Sequence, residues 1–206
     1  MSDDVKVYIV DDDCDMRNSI QWLLESVNWP VCAYESAERF LAEYNNNKPG
    51  CLLLDVRMPG MGGLRLLEYL QSMHRHLPVI MFTGYGDVEM AVRALKAGAF
   101  DFIEKTAAHQ LILDRVQLAM EAGKNLHLRE VERTKFQQLL TQLSPREHEV
   151  MLRIIQGQPN KVIAIELGLS ERTVEKHRTS VMGKTQVRSL AELIRIFYLH
   201  SGEAGS

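Results

Sequence analysis

The apolar run Cys51-Leu52-Leu53-Leu54 stops on a single acid, Asp55, and a loop begins at once, marked by Pro59, Gly60, Gly62 and Gly63. A run this short, without alternation and closed by turn residues, predicts a strand buried on both faces. Strands of that kind belong to parallel sheets covered by helices. In such sheets ligands bind beyond the carboxyl ends of the strands, where Asp55 sits.

Other runs end in the same way. Val5–Val10 ends on Asp11, Asp12 and Asp13, Val79–Phe82 ends on Thr83, and Phe100–Glu104 ends on Lys105. Strands are expected at 5–10, 31–34, 51–54, 79–82 and 100–104, with helical stretches near 15–27, 36–44, 63–73, 87–97 and 107–122. The stretch Asn45 to Gly50 is a turn before the central strand. Five strand–helix units predict an α/β doubly wound five-stranded parallel sheet over residues 1–122.

Residues 111–140 hold no proline and one glycine, and are rich in Leu, Gln, Glu, Lys and Arg. They predict an extended helix with a weak point at Gly123, and residues 123–142 are read as a helical linker. From residue 143 to 206 the pattern is helical only, as in a small all-α domain. Ser144-Pro145-Arg146-Glu147 combines an N-cap, a proline at the first helical position and a capping-box Glu. Further helices fit 160–167, 171–184 and 189–200, and the tail Gly202–Ser206 is expected to be disordered.

Charge divides along the chain. Residues 1–125 carry 18 acids and 12 bases, and residues 126–206 carry 9 acids and 12 bases, so the halves differ in sign and suit different partners. No apolar run approaches the roughly 20 residues of a membrane-spanning helix. The acidic start is unlike a secretory signal. Three cysteines, Cys14, Cys32 and Cys51, lack metal-ligand spacing, and reduced thiols of a cytoplasmic protein are expected.

The four strand ends gather carboxylates, a hydroxyl and an ammonium, a set suited to metal-assisted phosphoryl transfer. Asp55, on the central strand, is placed as the nucleophile that would take a phosphoryl group. Asp11 and Asp12 would hold Mg²⁺, an ion that prefers oxygen ligands and keeps some of its waters. Lys105 would pair with the phosphoryl oxygens, and Thr83 would hydrogen-bond one of them. Taken singly, each has a plainer reading: Asp11–Asp13 as helix caps, Thr83 as a turn residue, Lys105 as a solvated charge.

Residues 5–122 resemble the receiver domain of two-component response regulators. The resemblance rests on Ile9-Val10-Asp11-Asp12-Asp13, Leu54-Asp55-Val56-Arg57-Met58-Pro59-Gly60, Thr83-Gly84-Tyr85-Gly86-Asp87, Lys96-Ala97-Gly98-Ala99 and Asp101-Phe102-Ile103-Glu104-Lys105. It implies Asp55 as phosphoacceptor, Mg²⁺ held by Asp11, Asp12, Asp55 and the Arg57 backbone carbonyl, and Thr83 with Phe102 as a switch pair. The phosphodonor it implies is a sensor histidine kinase. In that family proline usually follows the lysine, whereas Thr106 stands here. A trans Lys105–Thr106 bond is therefore expected, with Thr106 capping a helix near Ala107 and Lys105 placed differently from the family's lysine.

In the last segment, projection of 171–185 at 100° per residue puts Val174, His177, Arg178, Val181 and Thr185 on one side of a helix. Arg172, Glu175, Lys176, Thr179 and Gly183 lie opposite. The first side is expected to pack inward, and the second can address base edges in a major groove. Lys161, His177, Arg178, Lys184 and Arg188 can meet phosphates. A solvated charged face on a helical bundle fits the same periodicity. Leu143-Ser144-Pro145-Arg146-Glu147, Asn160-Lys161-Val162-Ile163-Ala164 and Leu169 to Arg178 resemble the NarL/FixJ-type (LuxR-type) helix-turn-helix domain. That resemblance implies DNA contacts from Lys161, Thr173, Glu175, Lys176, His177, Arg178, Thr179 and Lys184. His177 is equally compatible with packing against a neighbouring helix. Thr185 falls where the family usually has Leu or Met, so a looser core is expected there.

The two resemblances together imply a phosphorylation-dependent, DNA-binding transcription regulator and not an enzyme. Its expected partners are a sensor kinase, double-stranded promoter DNA, a second copy of itself on phosphorylation, and RNA polymerase. The fourth helix and fifth strand, with Glu89, Arg93 and Lys96, are the expected dimer face. A Mg²⁺-dependent phosphohydrolase and a protein-binding adaptor are the rivals. The first would need a second acid near Asp55 and a substrate lid, yet Arg57 stands two residues on and no lid insertion exists.

Overall fold

The computed structural model describes residues 5–45, 48–73, 77–84 and 88–201. The tail Gly202–Ser206, the Tyr85-Gly86-Asp87 part of the fourth-strand motif, and Asn46 and Asn47 of the expected turn lie outside the described residues. The chain forms two compact units, one up to Arg129 and one from Glu130 on.

In the first unit the strands are β1 (Lys6–Val10), β2 (Val31–Tyr34), β3 (Gly50–Asp55), β4 (Val79–Thr83) and β5 (Asp101–Glu104). All neighbours pair in parallel, in the order β2-β1-β3-β4-β5. The helices are α1 (Cys14–Glu25), α2 (Ala37–Glu43), α3 (Gly63–Ser72), α4 (Val88–Lys96) and the first part of α5 (His109–Leu140). The doubly wound sheet expected from the apolar runs is present. Its order reverses between β1 and β3, the crevice where such sheets bind ligands.

Alternating side chains of these strands feed two cores, because successive residues of a strand point to opposite faces. On one face Tyr8, Val10, Leu52, Leu54, Val79 and Met81 pack with Phe40 of α2, Leu66, Leu67 and Leu70 of α3 and Ala94 of α4. On the other, Val7, Ile9, Cys51, Leu53, Ile80 and Phe82 pack with Ile20 and Leu24 of α1 and Ile112, Val116 and Ala119 of α5. The all-apolar reading of β3 follows from this burial on both sides.

The extended helix expected here is present, and the weak point at Gly123 does not interrupt it, since α5 is continuous for 32 residues. Gly123 instead serves packing. A Cβ there would lie 2.0 Å from the Gly50 carbonyl oxygen, so the helix approaches the start of β3 only because this residue has no side chain. The stretch 123–142 divides between the two units, and Phe136 is buried in the core of the second.

The second unit contains the end of α5, then α6 (Pro145–Ile155), α7 (Asn160–Leu167), α8 (Glu171–Thr185) and α9 (Leu190–Ser201). Ser144 and Glu147 form the expected capping box at α6. Gly168 ends α7 with a left-handed φ of 64°, and the Ser170 hydroxyl accepts from Thr173 N at the start of α8. Phe136, Met151, Ile155, Val181, Val187 and Leu193 form one core cluster, and Val150, Ile154, Ile163, Leu167 and Val174 another. Among the described residues no helix is long and apolar enough to cross a membrane. The three cysteines are unpaired.

Candidate functional site: acidic pocket and recognition helix

The tips of β1, β3 and β5 bring charges into one pocket. Asp11 and Asp55 are buried, and the Lys105 ammonium stands 2.7 Å from Asp11 Oδ2 and 3.2 Å from Asp55 Oδ2. Asp12 is exposed, and carboxylate oxygens of Asp11, Asp12 and Asp55 all lie within 4.8 Å of one another. Asp13 turns away to cap α1, accepting from Asp15 N and Met16 N, and its own N–H donates to Asp11 Oδ1.

Two buried carboxylates share one ammonium here. Burial raises the Asp55 carboxyl pKa above the ordinary carboxylate range. The Asp11 charge adds to this, while Lys105 and the Arg57 N–H oppose it. Burial works against the Lys105 ammonium too, yet its hydrogen bond and attraction to Asp11, with Asp55 beside it, carry its pKa above the usual lysine value. Among the described residues, the buried Asp11 Oδ2 meets no donor besides the Lys105 ammonium. Hard oxygen donors, a spare lone pair and one exposed carboxylate fit Mg²⁺, which holds several waters besides protein ligands.

The Lys105–Thr106 bond is trans, as expected. The expected displacement of Lys105 does not follow, because its ammonium still reaches both acids. Nor does Thr106 cap a helix. A turn closed by Ala107 N donating to Glu104 O delays α5 to His109, and the Thr106 hydroxyl donates to Glu104 Oε2.

Thr83 ends β4 fully buried, and its carbonyl accepts from Lys105 N at 2.7 Å, so β4 and β5 are tied beside the pocket. Phe102, one strand over, is half-buried against the core that holds Met81 and Ala94. Arg57 stands two residues beyond the end of β3, and its N–H donates to the Asp55 carboxylate. The loop after Asp55 is held from outside by Glu38, whose Oε1 accepts from Met61 N at 3.0 Å. Sequence reading missed Glu38, and a pairing 23 residues apart leaves no local signal.

In the second unit α8 shows the expected sidedness. Val174, Val181 and Thr185 are buried, His177 and Arg178 half-buried, and Arg172, Glu175, Lys176, Thr179 and Gly183 exposed. Thr185 does not leave a polar orphan, for its hydroxyl donates to Val181 O at 2.6 Å. Lys161, at the start of α7, and Arg188 are exposed. The Thr173 hydroxyl lies 2.8 Å from that of Ser170, and the Thr179 hydroxyl donates to Glu175 O. Lys184 differs from the free phosphate contact expected of it. Its ammonium donates to Glu147 Oε2 at 2.7 Å, and Glu147 also accepts from Ser180 Oγ at 2.6 Å and Ser144 N at 2.7 Å. These bonds hold the Glu147 carboxyl at a pKa of about 2.

Residues 7–117 match the family described as response regulator receiver domain, and residues 141–197 match the bacterial regulatory proteins of the luxR family. The chain belongs to the two-component response regulators. This response regulator is 43% identical over 192 residues to nodulation protein W of Bradyrhizobium diazoefficiens, covering 92% of this chain and 84% of that protein. It is 40% identical over 193 residues to transcriptional regulatory protein FixJ of Rhizobium meliloti, covering 94% of this chain and 95% of that one. Among solved structures it is similar to response regulator StyR, with a TM-score of 0.79, 37% identity, and coverage of 94% of this chain and 98% of that chain. Full-length FixJ from B. japonicum aligns with a TM-score of 0.56 and 35% identity over 98% of this chain and 99% of that chain. A receiver joined to a LuxR-type DNA-binding domain makes this protein a phosphorylation-dependent transcription regulator of a two-component system.

Proposed function

We propose that Asp55 is the phosphoacceptor and that the state of its carboxylate governs DNA binding by α8. The observation that carries this reading is the convergence of Asp11, Asp12, Asp55 and Lys105 at the crevice between β1 and β3. A carboxylate oxygen of Asp55 attacks the phosphorus of a phosphohistidine on the partner kinase. An O–P bond forms, the N–P bond breaks, and the imidazole nitrogen leaves with the bonding pair. Asp11, Asp12, Asp55 and the Arg57 carbonyl would hold Mg²⁺, which supplies positive charge against the phosphoryl oxygens. Lys105, already seated between two acids, is pre-oriented to neutralise another oxygen.

The Thr83 hydroxyl and the Phe102 ring form the switch that reports phosphorylation, biasing two states of β4, α4 and β5. The phosphorylated receiver pairs with a second copy through α4 and β5. Val88, Val92 and Leu95 are exposed on α4 beside the exposed Glu89, Arg93 and Lys96, an apolar stripe edged by charge. Two α8 helices then read paired half-sites. Lys176, Glu175 and Thr179 face base edges, with Thr173, His177 and Arg178 at their margin and Lys161 on a phosphate.

Binding-site selection and mobility shifts, with and without acetyl phosphate and Mg²⁺, test this reading. Acetyl phosphate should tighten binding to the selected site, and Asp55→Asn should abolish that response. Lys176→Ala should change base preference at one position by about 1–3 kcal/mol. Lys161→Ala should weaken all sequences alike and lower the salt slope by about one unit. Equal tightening of the Asp55→Asn variant, or one unchanged motif and affinity for both lysine variants, would refute the assignment.

A further inference from the structure

The carboxylate of Glu147 reaches out of its own helix. One oxygen accepts from Ser144 N and from Lys184 Nζ, both at 2.7 Å, and the other from Ser180 Oγ at 2.6 Å. Ser180 and Lys184 are 33 and 37 residues further along the chain, one turn apart on α8. Beside Glu147, the Arg146 guanidinium donates to the carbonyl of Leu167, the last residue of α7, and pairs with Glu149 at 2.6 Å. On the next turns Arg153 pairs with Glu166 of α7 at 3.0 Å. Two adjacent faces of α6 thus grip the two helices of the helix-turn-helix by directional polar contacts.

Apolar packing of Val174 and Val181 alone sets no exact roll or translation of α8, because hydrophobic burial is non-directional. Charge-assisted hydrogen bonds do, since they weaken steeply off their geometry. The roll of α8 decides which of Arg172, Glu175, Lys176 and Thr179 face outward. Glu147 is also buried, so an unmet carboxylate there is costly. For Lys184 to reach a phosphate it must leave that buried carboxylate without its charge partner, a larger loss than one solvent-exposed ion pair returns.

We propose that Glu147 is a positioning residue for the recognition helix and that Lys184 serves Glu147, not a DNA phosphate. The proposal rests on the reading of α8 as the recognition helix. Its signature is a loss of specific binding without a loss of electrostatic contacts.

The test uses the full chain, a duplex carrying the site selected by the wild-type protein, and a scrambled duplex, across a salt series. Lys184→Met is expected to weaken the selected site about tenfold, leave the scrambled duplex unchanged and keep the salt slope. Lys184→Arg should retain specific binding. Glu147→Gln should match Lys184→Met, and the double variant should be no worse than the weaker single, as for two residues acting as one unit. A slope lower by about 0.9 in Lys184→Met, with both duplexes weakened equally, would make Lys184 a phosphate contact and overturn the proposal. So would additive losses or unaltered specific affinity. Should Glu147→Gln fail to fold in a thermal melt, Lys184→Met and the milder Ser180→Ala decide the matter. If the wild-type protein selects no site at all, the reading of α8 as a recognition helix is what fails.

Discussion

The Lys105 ammonium lies 3.2 Å from Asp55 Oδ2 while holding Asp11 more closely, at 2.7 Å. One cation therefore serves two buried carboxylates, and Asp55 is the less well compensated of them. Burial and the Asp11 charge leave its pKa above the ordinary value even with Lys105 present.

Removing the ammonium should push the Asp55 pKa higher still. In Lys105→Met the ionised nucleophile would then be lost at a higher pH than in the wild type as pH falls. The acid limb of labelling by acetyl phosphate should move upward in pH. Carboxyl chemical shifts of Asp55 in the metal-free protein check the same point, and a downward or absent shift would contradict it.

Asp12 and Asp13 are adjacent and both exposed, yet they should behave differently. Asp12 shares the pocket with Asp11 and Asp55, whereas the Asp13 side chain is engaged by Asp15 N and Met16 N. Asp12→Ala should weaken Mg²⁺ binding measured by calorimetry more than Asp13→Ala does. Asp13→Ala should instead cost about 0.5–2 kcal/mol of receiver stability by uncapping α1.

Glu147 makes the second unit acid-sensitive. Its folded pKa of about 2 lies below the ordinary value, so its contribution to stability is present above about pH 4.5 and is lost as pH falls toward 2. Glu147→Gln should lower stability at neutral pH by about 1.5–3 kcal/mol, the range for hydrogen bonds to a charged group, and toward its lower end because Lys184 is partly exposed. Thermal melts of the second unit against pH should be flatter in the variant between about pH 4.5 and 2. Parallel pH profiles would show that Glu147 is not the titrating group.

Gly123→Ala sets helix propensity against packing. Alanine favours a helix interior by about 0.8–1 kcal/mol over glycine. The new Cβ would nevertheless meet the Gly50 carbonyl oxygen at 2.0 Å, and backbone on both sides cannot yield cheaply. The substitution should destabilise the receiver, read as a lower urea midpoint. A higher midpoint would mean that α5 moves away from β3 at little cost.

The sheet, its helices and the acidic pocket were legible in the chain because each strand's burial and its terminal residue are local properties. Apolar runs ending on Asp11, Asp55, Thr83 and Lys105 state both where a parallel strand stops and what it presents there. The buried face of α8 was equally legible, since a 3.6-residue period needs no knowledge of the partner. Tertiary structure alone decided the rest. Gly123 reads as a helix weakness until Gly50 is placed against it. Thr106 reads as a cap until the Glu104–Ala107 turn moves the helix start to His109. The reach of Lys105 to both acids, the Glu38 contact on the loop after Asp55 and the engagement of Lys184 by Glu147 join residues far apart in the chain. Such pairings have no period or spacing to betray them. They follow from how two elements dock, which the packing of whole faces sets and no single segment encodes.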